Sequence, residues 1–152
     1  MKFLFLITLL FSCCIAQAKF QSKYTGYDMS KTFKSLQNFT TDYEVENGGP
    51  VLDNKVSIYK INKNNCVIVS KVDGDSGAYG SEDILYFYNA KFLSGYSLSY
   101  SYTYLNRNGT KKSKKPSYME VTDDNENTKI LKTDFLKYLG KLNKKTFKEC
   151  SN

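Results

Sequence analysis

Tyr96-Ser97-Leu98-Ser99-Tyr100-Ser101-Tyr102-Thr103-Tyr104 is the stretch on which the fold turns. Every second residue is large, and every intervening one is a small hydroxyl. No helix sorts residues this way, whereas a β-strand sends successive side chains to opposite faces. At about 3.3 Å per residue the stretch predicts a strand of roughly 30 Å. Alternating tyrosines of this kind have two uses. They pack one face against a helix with hydroxyls at the rim, or they form an exposed aromatic platform for a protein or glycan partner, to which Tyr100, Tyr102 and Tyr104 would contribute.

Outward from this strand the chain is punctuated for hairpins. Upstream, Asp83 to Asn89 reads as a strand, and Asn89-Ala90-Lys91 turns into the next. Further back, Lys55 to Asn62 alternates, with Val56, Ile58 and Lys60 opposite Ser57, Tyr59 and Ile61. Cys66 to Val72 is a β-branched run, and Lys63-Asn64-Asn65 joins the two as a hairpin. Asn47-Gly48-Gly49-Pro50 is a break. Before it, Ser30 predicts a helix cap, with a short helix through Asn38 that carries Phe33, Leu36 and Gln37. Downstream, Asn108-Gly109 is the favoured dipeptide of a two-residue hairpin loop, and Pro116 opens a strand over Ser117 to Thr122. Asp123, Asp124 and Glu126 then precede Ile130, Leu131, Phe135, Tyr138, Leu139 and Leu142, with lysines at the end. Apolar spacings of three and four, acids first and bases last, predict a C-terminal helix. The sum is an α+β fold: an antiparallel sheet of four to six strands with one or two helices packed on a face.

The start of the chain bears on its destination. Lys2, the apolar run Phe3 to Phe11 and Ala16-Gln17-Ala18 have the order of a secretory signal peptide, so residues 1–18 are read as a signal and residues 19–152 as one domain. The apolar run spans about 14 Å as a helix, roughly half the hydrocarbon core of a bilayer, so no transmembrane segment is expected. The expected location is periplasmic or extracellular. Leu10-Phe11-Ser12-Cys13 also resembles a lipobox, which would leave the protein lipid-anchored through Cys13.

Export changes the meaning of the cysteines. Cys13 and Cys14 fall in the signal, and Cys66 and Cys150 are left to form one disulfide. In the chain-entropy view, closing that loop stabilises the fold by about 4 to 5 kcal/mol. There is no Cys-x-x-Cys and no histidine to complete a zinc site.

Charge and composition narrow the function. The formal charge of +7 becomes +6 without Lys2, and Arg107 is the only arginine. Scattered lysines give diffuse attraction to anionic surfaces rather than bidentate reading of phosphates or bases, which argues against a nucleic-acid partner. Without histidine or tryptophan, catalysis would rest on carboxylates, lysine or an oxygen-held ion. No catalytic residue, metal or cofactor is assigned.

The candidate site is the run from Asp73 to Asp83, which holds Asp73, Asp75, Glu82 and Asp83 with Gly74, Gly77 and Gly80. A calcium loop fails in register, since Gly77 falls at its fifth position and Ile84 at its twelfth. The remaining readings are a solvated connection, or a binding loop in which glycine permits close approach and Tyr79 offers a rigid contact. Within it, Ser76-Gly77-Ala78-Tyr79 resembles the Ser-Gly-x-Tyr loop of bacterial periplasmic lysozyme inhibitors, exported β-rich proteins that insert this loop into the lysozyme cleft. The resemblance implies that Ser76 and Tyr79 enter a partner's cleft, with the surrounding acids giving local complementarity to a basic enzyme. In overall build the chain is also similar to small exported immunity proteins, which neutralise a toxin.

The expected function is therefore that of an exported, non-catalytic protein that binds and neutralises a protein partner, a toxin or a hydrolase. Its partner-binding residues would be Asp73, Asp75, Ser76, Gly77, Tyr79, Glu82, Tyr100, Tyr102 and Tyr104. A second class is a module for glycan or an anionic surface, which adds the cations Arg107, Lys111, Lys112, Lys114 and Lys115 to the tyrosine strand. A third is a small hydrolase using the loop carboxylates. Asn38-Phe39-Thr40 and Asn108-Gly109-Thr110 fit the glycosylation pattern, which applies in a eukaryotic source.

Overall fold

Two of the five strand connections are two-residue turns. A computed structural model describes residues 24–44, 49–121 and 125–151. In chain order these form α1 (Gly26–Thr32), β1 (Ser35–Glu44), β2 (Val51–Asn62), β3 (Asn65–Asp73), β4 (Tyr79–Tyr88), β5 (Lys91–Ser101), β6 (Ser117–Glu120), α2 (Asn125–Leu139) and α3 (Lys144–Ser151). The six strands pair antiparallel with their sequence neighbours, in the order β1 to β6. The fold is α+β, as the alternation requires. Asn89 and Ala90 join β4 to β5 with φ of 49° and 58°, the positive pair that lets a two-residue turn follow the strand twist.

Helices lie on both faces of the sheet, not on one. Against one face, α2 and α3 bring Leu131, Phe135, Tyr138 and Cys150 onto Val56, Ile58, Ile68, Leu85 and Phe87. The Phe87 and Phe135 rings lie 5.4 Å apart. Against the other face, Met29 of α1 packs on Tyr59, Val67, Val69, Ile84 and Leu98. β2, β3 and β4 are covered on both sides, which is why they read as β-branched runs as much as alternations. The Cys66–Cys150 disulfide ties α3 to β3, with Cα atoms 5.7 Å apart.

The element bounds correct the sequence reading in several places. The N-terminal helix spans Gly26–Thr32 and does not run from Ser30 to Asn38. Thr25 is its cap: the Asp28 N–H donates to the Thr25 hydroxyl, and the Asp28 carboxylate accepts from the Thr25 N–H. Ser30 instead donates to the Tyr27 carbonyl inside the helix. Phe33 turns extended, and Leu36, Gln37 and Asn38 enter β1 because pairing with β2 outweighs weak helical propensity.

At the other end the predicted single helix is two. Gly140 follows α2, and Asn143 caps α3 by accepting the Thr146 N–H at 2.8 Å. Gln37 holds this junction to β1, donating to the Lys141 carbonyl and accepting from the Asn143 N–H. The tyrosine strand spans Lys91–Ser101, so Tyr102 and Tyr104 lie beyond it, and the Asp83 to Asn89 strand begins earlier, at Tyr79. The strand read from Lys55 begins at Val51. The signal segment, Cys13, Asn47, Gly48 and Thr122 to Asp124 lie outside the described residues.

Candidate partner-binding surface

With β4 starting at Tyr79, the loop between β3 and β4 is five residues, 74–78. It is a tight turn: the Gly77 N–H donates to the Gly74 carbonyl at 2.7 Å, and Gly77 sits at φ 58°. Ser76 Oγ accepts from the Ala78 N–H at 3.2 Å, a local bond that holds the turn's far side. The Tyr79 ring lies over Gly74, where a Cβ would stand 2.4 Å from Tyr79 Cε2. Tyr79 is 54% exposed, so this rigid ring is presented to solvent.

Beyond β5 the chain continues as an arm that reverses at 106–109. Asn108-Gly109 does mark the reversal, but Asn106 shapes it by accepting from the Thr110 and Lys111 N–H groups, with the Gly109 N–H donating to the Asn106 carbonyl. The arm's limbs are tied by the Leu105 N–H to the Lys111 carbonyl, and by reciprocal bonds between Thr103 and Ser113. Two bonds then fix the arm to the loop: the Tyr102 N–H donates to the Ala78 carbonyl at 2.7 Å, and Lys112 Nζ donates to the Ser76 carbonyl at 2.9 Å. The loop and the lysine hairpin, read separately from the sequence, form one end of the molecule.

The predicted contact residues divide by burial. Asp75, Ser76, Tyr79 and Tyr104 are exposed there, with Gly77 half-buried among them. Glu82 belongs to β4, is 2% exposed, and is a correction to the expected loop. Its carboxylate accepts the Gly26 N–H at 2.5 Å. Burial raises the Glu82 pKa, and the Gly26 N–H, Lys71 and Tyr118 offset only part of that rise. Tyr100, 3% exposed, is likewise core rather than platform, and its hydroxyl donates to the Asp73 carboxylate. Asp73 is already engaged by Lys55 at 2.8 Å and Lys71 at 3.3 Å. Burial pushes its carboxyl up, but Lys55, Tyr100 and Lys71 outweigh that and hold it at about 2.

No known protein family, curated protein or solved structure matches this chain. Function therefore has to be argued from the surface itself.

The tyrosine stripe grades from core to surface along its length. Tyr96 and Tyr100 lie on the α1 face; Tyr102 is half-buried with its ring edge-on to Tyr100 at 6.1 Å; Tyr104 is 43% exposed, with Lys112 Nζ 6.0 Å from its ring. The serine side of β5 faces α2, where Ser97 donates to Asp83 at 2.6 Å. Of the arm's cations, Lys112 is held by Ser76 and Lys115 by Asp28 at 3.2 Å, while Arg107, Lys111 and Lys114 are exposed.

Sequence reasoning missed a cleft of about 310 Å³ between α1, the sheet and the arm, lined by Tyr27, Lys55, Tyr59, Lys71, Tyr102 and Tyr118, with Glu82 at its wall. The alternation of Lys55, Ser57 and Tyr59 on one side of β2 was its only signal. The loop acids do not converge on a common point: Asp73 and Glu82 face α1, and Asp83 faces α2. Among the described residues no group of three or more acidic, cysteine or histidine side chains could hold a metal ion, and no helix is long and apolar enough to cross a membrane.

Proposed function

We propose that this protein is an exported, non-catalytic binder that neutralises a protein partner of the toxin or hydrolase class through its loop and arm end. The observation that carries the reading is the pair of bonds from Tyr102 N–H and Lys112 Nζ to the loop carbonyls of Ala78 and Ser76. They hold the exposed rings of Tyr79 and Tyr104, and the exposed Leu105 beside Tyr104, on a braced hairpin end, so little ordering cost is left for binding. Rigid tyrosines flanked by small and charged residues are the composition of a protein-contact surface.

The test is capture of partners from the periplasmic or extracellular fraction of the source organism by the intact protein. Ser76→Ala with Tyr79→Ala is expected to weaken capture about tenfold or more, with the melting temperature unchanged, as for central aromatic contacts. Unchanged capture rejects this surface.

A second reading rests on the tyrosine-lined cleft, whose rings and adjacent Lys55 and Lys71 suit a glycan. Tyr102→Ala separates the two. Loss of glycan binding with intact protein capture favours the cleft as a distinct glycan site; loss of neither removes the second reading.

A further inference from the structure

The opposite end of the sheet carries a second cleft, of about 600 Å³, that neither functional reading uses. Three segments distant in sequence build it. Lys34 comes from the link between α1 and β1, Lys60 and Lys63 from the end of β2 and its turn, and Lys145 and Glu149 from α3. The Lys60 N–H donates to the Lys34 carbonyl at 3.4 Å, which keeps the first two segments in register. Cys150, bonded to Cys66 of β3, fixes the helix turn that carries Glu149.

Charge is one-sided here. Four lysines, Lys34, Lys60, Lys63 and Lys145, and one carboxylate, Glu149, line the cleft, a local surplus of three positive charges. Lys60 Nζ pairs with Glu149 directly. Lys60's hydrogen bond and charge, with smaller contributions from Lys145 and Lys34, hold the Glu149 carboxyl below its ordinary range. Glu149 is thus the one anion at the rim of a cationic cleft. Lysine ammonium groups are mobile point charges and select charge density over planar geometry, which favours a phosphate-type anion over a lone carboxylate.

We infer that this cleft is a binding site for a compact multivalent anion of the phosphate class, which Lys34, Lys60, Lys63 and Lys145 hold and with which Glu149 competes. It is independent of the loop and arm end, and its success or failure says nothing about that surface.

Inorganic pyrophosphate is the probe, titrated into the intact protein at low ionic strength by calorimetry and by amide chemical shifts. One saturable site is expected, with shifts confined to residues around Lys34, Lys60, Lys63 and Lys145. Lys34→Ala with Lys145→Ala is expected to weaken binding about tenfold, since each exposed ion pair contributes a modest factor. Glu149→Gln is expected to strengthen it several-fold, and Lys111→Ala with Lys114→Ala to leave it unchanged. All of these side chains but Glu149 are exposed, and thermal melts check that each variant is folded. Phosphatidylglycerol vesicles distinguish the source of the phosphate. Binding to both probes with the same lysine dependence assigns a headgroup, and binding to pyrophosphate alone assigns a soluble anion. Capture by vesicles alone, shifts centred on the arm, weaker binding in Glu149→Gln, or no saturable binding at millimolar pyrophosphate would each overturn the inference.

Discussion

Beneath α2, three uncharged polar side chains close a ring inside the apolar core. Asn54 Nδ2 donates to the Tyr138 hydroxyl at 2.7 Å, Ser70 Oγ donates to Asn54 Oδ1 at 2.9 Å, and the Tyr138 and Ser70 hydroxyls meet at 3.1 Å. Each hydroxyl has one proton; with Ser70's given to Asn54, the Tyr138 hydroxyl donates to Ser70, and every group in the ring is satisfied. Buried polar groups cost little when paired and about 1 to 3 kcal/mol when orphaned. Tyr138→Phe removes one member and strands the Asn54 Nδ2 donor, while the Ser70 hydroxyl keeps its bond to Asn54 Oδ1. It is expected to lower unfolding free energy by about 1 to 3 kcal/mol in denaturant titration, although it leaves the ring's apolar packing nearly intact. None of this was legible residue by residue. Asn54 reads as a polar connector before a strand, and Ser70 as one hydroxyl in a β-branched run, until the pairing of β2 with β3 sets them diagonally across from each other. Glu82 misled the reading in the same way, as a charge in an acidic run gives no sign that Gly26 lacks the Cβ that would collide with it.

At the scale of elements, the fit of α2 on the sheet depends on protons. Burial raises the Asp83 pKa above its ordinary 3.8, against the Ser97 bond, and the charge of Asp134 adds to the rise. Asp134 is raised by burial as well, with Lys137 offsetting part. A carboxyl raised in the folded state contributes stability fully below its unfolded value and loses it as pH rises through the folded one. Asp73 has the opposite sign: its stabilisation is complete above 3.8 and is lost as pH falls toward about 2. From 3.8 toward neutrality Asp83 and Asp134 under α2, and Glu82 on the other face, act in the same sense, and their contribution to stability declines. Asp83→Asn keeps an acceptor for Ser97 and removes the buried charge. Its melting temperature is expected to exceed that of the parent by a few degrees at neutral pH, with the gap closing as pH falls toward 3.8. A gap that stays constant with pH would show that Asp83 is not the titrating group. The elements themselves were more legible than their ends. Turn residues and period-two patterning located β2 to β5, whereas α1 and β1 were misread because Phe33, Leu36 and Gln37 satisfy a helical spacing that only strand pairing overrules.

The whole molecule joins local hairpins to a few long-range ties. The meander was readable because each strand pairs with its sequence neighbour, and β2 to β3 and β4 to β5 turn within two residues. The two candidate binding ends were not, since each assembles segments that only the completed sheet brings together: Ser76 with Lys112 at one, and Lys34, Lys63 and Lys145 at the other. The disulfide ties residues 84 apart in sequence, and was inferred from the signal reading, which sets Cys13 and Cys14 aside and leaves one pair. Both cysteines are buried within the apolar cluster shared by α2, α3 and the sheet, so the bridge and the packing act on the same helix. Helix α3 is short and strongly basic, and on its own would be marginal in water. Cys66→Ala with Cys150→Ala is expected to lower unfolding free energy by about 2 to 5 kcal/mol, and amide exchange is expected to show α3 losing protection before the strands do. If instead the loss stays below about 1 kcal/mol and α3 keeps its protection, apolar packing with Phe135 and Leu142, rather than the bridge, anchors the C-terminus.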